Sequence, residues 1–254
     1  MIDVHPPHTS IHNWKEFWIH LGTITLGLLI AIGLEQSLEA LHRHHQRHVL
    51  QHDLHDEALR NEQILTRDIH LLQTRVVYFA ALRSNLDALR RGAPEASLAQ
   101  PTEPTNDDPF LPSAGTWASA RDSSQLALLP REQASVYEEL YAQRDFLQQD
   151  IVEVGRADEE LVSFVSNNEA SESATHLDPA KLTPAEQDEY SKLLSQQIIK
   201  LNNAIGNLQF YESENSAVIQ GITNVDELHQ QVLMREKSTP PSTIKKDDSP
   251  RKNP

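Results

Sequence analysis

Apolar positions along this chain change their spacing as the sequence proceeds, and each change marks a different element. Residues 17–34, FWIHLGTITLGLLIAIGL, are apolar almost without interruption and carry no formal charge between Glu16 and Glu35. Eighteen residues of helix rise about 27 Å, close to the roughly 30 Å of bilayer hydrocarbon. Trp14 and Trp18 stand at the N-terminal edge, where amphipathic rings favour the headgroup region. A secretory signal would need a basic leader and a small-residue cleavage site. Only Lys15 precedes the segment and no A-x-A pattern follows it, so the pattern predicts one uncleaved transmembrane helix.

Beyond it the spacing becomes helical and amphipathic. Leu65, Ile69, Leu72, Val76, Phe79, Leu86 and Leu89 recur mostly every three or four residues, a seam of an α-helix. No proline occurs from Trp14 to Arg91 and no glycine between Gly33 and Gly92, so this helix should continue directly from the apolar segment. Residues 92–115 hold five prolines and predict a loop, mobile at its centre. A short element around TWASARDSSQLALL follows, and a second long helix begins at Pro130 with the seam Val136, Leu140, Leu147, Ile151, Val154, Leu161 and Val165. Thr183, Pro184 and Glu186 combine a cap, a first-turn proline and a capping box. They start a third seam of Leu194, Ile198, Leu201, Ile205, Leu208, Asn215, Ile219 and Ile222, ending near Arg235.

The expected organisation is a short polar tail (1–13), a transmembrane helix (14–35), a stalk and first bundle helix (36–91) and a proline-rich loop (92–115). A short helix plus two long bundle helices (116–236) and a disordered tail (237–254) complete it. The fold class is all-α: an N-terminal transmembrane helix continuing into an elongated antiparallel three-helix bundle or coiled coil. Its three long helices would run out from the membrane, back, and out again.

Composition narrows the function classes. A formal charge of −15 argues against direct nucleic-acid binding, which requires a basic footprint. Residues 92–170 hold fifteen acidic against four basic residues, whereas residues 35–91 balance at eight of each. The chain has no cysteine, which removes disulfides and thiolate metal sites. Basic residues flanking the apolar segment nearly tie, so orientation by the positive-inside rule is close. A short tail before an uncleaved anchor favours a C-terminal part outside the cytoplasm. Thr23, Gly27 and Ala31 share one helical face and are small enough to let a second copy approach, the basis for an expected homodimer.

Two stretches, WKEFWIHLGTITLGLLIAIGLEQSLEALHRHHQ and TWASARDSSQLALLPREQASVYEELYAQRDFL, resemble uncharacterised bacterial single-pass membrane proteins, a domain of unknown function. In these a G-x-L-I-A-(I/L) anchor continues into a long helix, and a T-W element precedes an L-x-L-L and tyrosine-rich helix. The resemblance covers about the first 150 residues. It implies the bacterial inner membrane and a helical architecture, and no catalytic residues.

Signatures of nucleophile elbows, phosphate loops, dinucleotide sites and H-E-x-x-H zinc sites are missing from the sequence. The most unusual stretch is HRHHQRHVLQHDLH, six histidines in residues 42–55. His45, His48, His52 and His55 form one stripe at helical spacing, placed where the seam would extend. They are candidate ligands for zinc or nickel or a pH-responsive patch, or else the polar skin of an exposed helix. Glu39/His42 and Asp226/His229 resemble halves of a di-iron carboxylate site, but the expected helix directions put His42 and His229 about 60 Å apart. Arg144 and Asp158 interrupt the second seam, each meeting another helix or solvent. Asn215 either sets register or lies at a solvated edge. Trp117 is read as a hydrophobic plug, with a ligand-stacking role as the alternative. The function expected is that of a non-enzymatic scaffold or sensor at the lipid bilayer, working through contacts with an unknown protein partner. The alternative is a metal-binding or pH-responsive sensor built on the histidines.

Overall fold

In a computed structural model, residues 14–105, 107–168 and 177–238 are described, with side chains up to residue 234. The expected tail at 1–13 lies outside these residues, as does the expected tail at 237–254 from residue 239 onward, residues 237 and 238 being helical. The protein is all-α, and no strand occurs among the described residues. The chain divides into two units, Met1–Gln51 and His52–Pro254, with the helix α1 (Trp14–Arg90) contributing to each. In the first unit, residues 14–46 of α1 are exposed throughout.

In the second unit, α1 is followed by α2 (Gly115–Asp122), α3 (Arg131–Asn168), α4 (Pro184–Ile219) and α5 (Val225–Ser238). The buried face of α1 is Leu54, Ala58, Leu65, Ile69, Leu72, Phe79 and Leu86. The expected seams of α3 and α4 are buried in the same way at Val136, Leu140, Leu147, Val154, Leu161, Leu194, Leu201, Ile205 and Leu208. Helix α4 starts as its sequence demands: the Thr183 hydroxyl accepts from the Glu186 N–H, and the Thr183 N–H donates to Glu186 at 2.7 Å.

Helix directions differ from the expectation. Glu57 meets Tyr141 and Arg75 meets Asp158, so α3 runs parallel to α1. Glu62 meets Asn215 and Ser216, Thr66 meets Glu212, and Arg90 meets Asp188, so α4 is antiparallel to α1. It is antiparallel to α3 as well, through Gln197 on Asp158 and Asn207 on Asp150. Within the second unit α3 therefore follows the direction of α1 and α4 opposes both, not the alternating order expected.

The proline-rich segment makes this possible. It travels back along α1, with Ala99 at the level of Asn85, Phe110 at Asp68, Ser113 at Asn61 and Thr116 at Glu57. Between Asn85 and Asn61 the helix rises about 36 Å. Residues 99–113, at about 3.1 Å each in an extended polyproline-like path, cover about 43 Å. Pro101, Pro104, Pro109 and Pro112 favour that extended backbone and bring no N–H that would need a partner. Side chains of α1 accept from the Ala99, Phe110 and Ser113 N–H groups and tie the segment to the helix at these points.

Helix α4 also ends earlier than its apolar pattern suggested. Gly221 takes φ 88°, and the Gly221 and Ile222 N–H groups donate to Val218 and Ala217 carbonyls, a left-handed stop that favours glycine. Asn224 then caps α5, its side chain accepting from the Asp226 N–H at 2.8 Å. Leu228 and Val232 of α5 are buried. A Cβ at Gly221 would meet nothing within 4 Å, so Gly221→Ala costs only the backbone strain of the left-handed region. We expect a loss of about 1 kcal/mol, read as a lowered denaturation midpoint at unchanged slope.

Candidate functional site

Three groups of side chains stand out, and the first is a buried polar junction at the N-terminus of α2. Glu57 is 1% exposed although charged residues rarely go inside alone. Its Oε1 accepts from the Ser113 hydroxyl at 2.9 Å and the Thr116 N–H at 3.0 Å, and its Oε2 from the Tyr141 hydroxyl at 2.7 Å and the Trp117 N–H at 3.4 Å. Burial pushes its pKa up, but these four donors outweigh burial and hold it below the usual glutamate value. Glu57 thus caps α2 from another helix, with its charge at the positive end of the α2 dipole. Asn61 pairs with both the N–H and the carbonyl of Ser113, and Arg144 donates to the Pro112 carbonyl at 2.6 Å. Trp117 is buried and stacks on Tyr141 at 5.2 Å and Tyr137 at 6.4 Å, filling space as a plug would. Glu57, Trp117 and Tyr141 are buried here, while Ser113 lies at the exposed edge of the junction.

Higher up, Asp68 accepts from the Phe110 N–H and from Arg67, whose guanidinium lies 4.3 Å from the centre of the Phe110 ring. Asp158 takes Arg75 and Gln197 as partners. Asn215 is fully buried and donates to the Ala58 carbonyl and to Glu62, which fixes the register of α4 against α1.

The second group is the histidine stripe. His45, His48 and His52 are exposed and His55 half-buried. Leu50 and Leu54, within the same stretch, are the buried positions. At 100° per residue the four histidines lie roughly half a turn away from them, so the stripe does not extend the seam as expected. His52 approaches Asp56 at 3.6 Å, and the His44 and His48 rings touch at 4.6 Å. No set of three or more His, Asp or Glu among the described residues is placed to hold a metal ion. Zinc or nickel at His45, His48, His52 or His55 would need ligands from outside this helix.

The third group lines a cleft of about 460 Å³ where α3, α4 and α5 meet. Ser135, Glu138, Glu139, Ala142, Gln143 and Phe146 contribute from α3, Phe210 and Glu214 from α4, and Val225 from α5. Glu214 is 1% exposed and its Oε2 has no hydrogen-bond partner among the described residues. Burial raises its pKa to about 7, the Glu139 charge adds to the rise, and His229 opposes it. His229 Nε2 lies 2.9 Å from Glu139 Oε1. The direction of α4 thus brings His229 beside the first turns of α3, whereas the expected topology left it at the far end of the bundle. The cleft escaped the sequence reading because its residues come from three helices. One signal was available: Glu214 falls three residues after Tyr211 on the buried side of α4, where a leucine would be ordinary.

The fold and these sites define an all-α protein with, among the described residues, one helix long and apolar enough to cross a membrane. No family model matches the chain, and neither a curated protein nor a solved structure resembles it significantly.

Proposed function

We propose that this is a single-pass membrane protein that anchors a helical domain and acts by binding rather than by catalysis. The observation that carries this reading is the state of residues 17–34: apolar, helical and entirely exposed. A soluble chain that exposed Ile24, Leu26, Leu28, Leu29 and Ile30 on all sides of one helix would have a large uncovered apolar surface. Two details suit a lipid setting. The Thr23 hydroxyl donates to the Ile19 carbonyl at 2.9 Å, so it needs no water. Trp14, Phe17 and Trp18 cluster at the segment's start, Trp14 stacked on Phe17 and Trp18 edge-on to both, suited to an interfacial belt.

The proposed location is the bacterial inner membrane, with the C-terminal part outside the cytoplasm. Gly27 lies open, with nothing within 4 Å of an added Cβ, and together with Thr23 and Ala31 leaves a face for a second copy. Buried Glu57, Asp68 and Arg75 of the second unit each bond across elements and hold the helical domain together, which supports a scaffold or sensor.

Membrane extraction tests the anchor. The full chain should stay with the membrane through alkaline carbonate and leave only with detergent. Leu26→Arg combined with Ile30→Arg adds about 5–7 kcal/mol to insertion at mid-bilayer and should move the chain to the soluble fraction. Recovery of the unsubstituted chain in the carbonate supernatant would refute the anchor.

A further inference from the structure

We propose that the cleft between α3, α4 and α5 is a binding site for a small organic ammonium ion with an apolar body. Its walls supply both halves of such a ligand's chemistry. Phe146, 59% exposed, and Phe210 present aromatic surface, and ring faces attract a cation held within about 6 Å. Glu138 and Glu139 of α3 and Glu214 of α4 present carboxylates to the same space. The cleft's volume lies within the range of small-molecule sites, about 300–1,000 Å³.

Glu214 distinguishes this from an ordinary acidic surface. It is 1% exposed, it lines the cleft, and its Oε2 accepts no hydrogen bond among the described residues. A buried acceptor left without a donor is unfavourable, and an ammonium drawn to the Glu214 carboxyl at the cleft wall would supply one. A metal ion fits less well, because no group of three or more His, Asp or Glu among the described residues is arranged as a coordination set.

Charged and titratable groups around Glu214 fix the proton balance. Glu139 and Glu138 face it from α3, His229 from α5, and Tyr211 lies one turn before it on α4. Below about pH 7 the empty cleft holds Glu214 largely as the neutral acid. An arriving ammonium favours the carboxylate, so the proton leaves to solvent as the ion binds. The site stands independently of whether residues 17–34 span a bilayer.

The experiment is calorimetric titration of the full chain in detergent with phenethylammonium, and with the neutral isostere 2-phenylethanol. Phenethylammonium should bind saturably below millimolar concentration, and the alcohol at least ten-fold more weakly. At pH 6.5 the observed enthalpy should differ between phosphate and imidazole buffers, showing release of a fraction of a proton. Glu214→Gln should weaken ammonium binding at least ten-fold and abolish the buffer dependence. This variant keeps the neutral shape that the wild-type side chain already adopts near neutrality, so it should fold. Phe146→Ala, at an exposed position, should weaken binding several-fold and leave proton release in place. Equal affinity for the alcohol, undiminished binding by Glu214→Gln, or no saturable binding would each overturn the proposal.

Discussion

Glu57→Ala should destabilise the helical domain by about 3–5 kcal/mol, the range for breaking a buried charged network by removing one member. The loss has named parts. The Thr116 and Trp117 N–H groups at the start of α2 and the hydroxyls of Ser113 and Tyr141 lose their acceptor together. Glu57→Gln keeps the volume and one acceptor oxygen, so about 1–3 kcal/mol is expected there. The effect should depend on pH in a specific direction. The folded carboxyl sits below the ordinary glutamate value of 4.5, so its charge-dependent stabilisation is complete above that value. It fades as pH falls through the lower folded value. Urea titrations at pH 7 and pH 4 would read this: the gap between wild type and Glu57→Gln should narrow at the lower pH. Equal stability of the two at pH 7 would sink the assignment of Glu57 as the anchor of α2.

Trp117→Ala should cost a comparable 3–5 kcal/mol, as for other buried large aromatics. Its ring lies nearly parallel to Tyr141, 8° apart in plane, and is 7% exposed. Removal therefore takes away both buried area and a stacked pair. Because Tyr141 touches Trp117 on its face and Glu57 at its hydroxyl, the two losses share a partner. The double variant with Glu57→Gln should depart from additivity by about 0.5–3 kcal/mol. A loss below about 1 kcal/mol for Trp117→Ala, measured by helical circular dichroism, would mean that the ring covers a groove rather than filling the core.

Much of this architecture was legible because periodicity reports burial. The leucines of all three seams lie where a 3.6-residue repeat puts them, and the Thr183–Glu186 cap is local chemistry. The direction of α3 was not legible. An amphipathic stripe looks the same whether its helix runs up or down, and direction here depends on a strap whose bonds to Asn61, Asp68 and Asn85 join residues far apart in sequence. Nothing local to Asn61, Asp68 or Asn85 marks them as partners of a segment so far along the chain. The stop at Gly221 and the cap at Asn224 were visible, but the apolar pattern through Ile222 hid them. Leu50 and Leu54 were present inside the histidine stretch, outnumbered by imidazoles. The cleft at Glu214 depends on α5 folding back, and the apolar pattern predicts helix through that turn.

The strap also orders events in time. Its contacts with α1 close progressively longer stretches of chain: 14 residues for Asn85 with Ala99, 42 for Asp68 with Phe110, 52 for Asn61 with Ser113 and 59 for Glu57 with Thr116. Each closure leaves only a short additional loop for the next, which keeps the entropy lost at each step small. Asn215 reaches Ala58 across 157 residues and can dock only after α4 exists. During synthesis, then, α1 and its strap can zip from the far turn towards Glu57 while the rest of the chain is still being made. The growing polypeptide thereby fixes the start of α2 against α1 early, and α4 and then α5 arrive to close a structure already laid out.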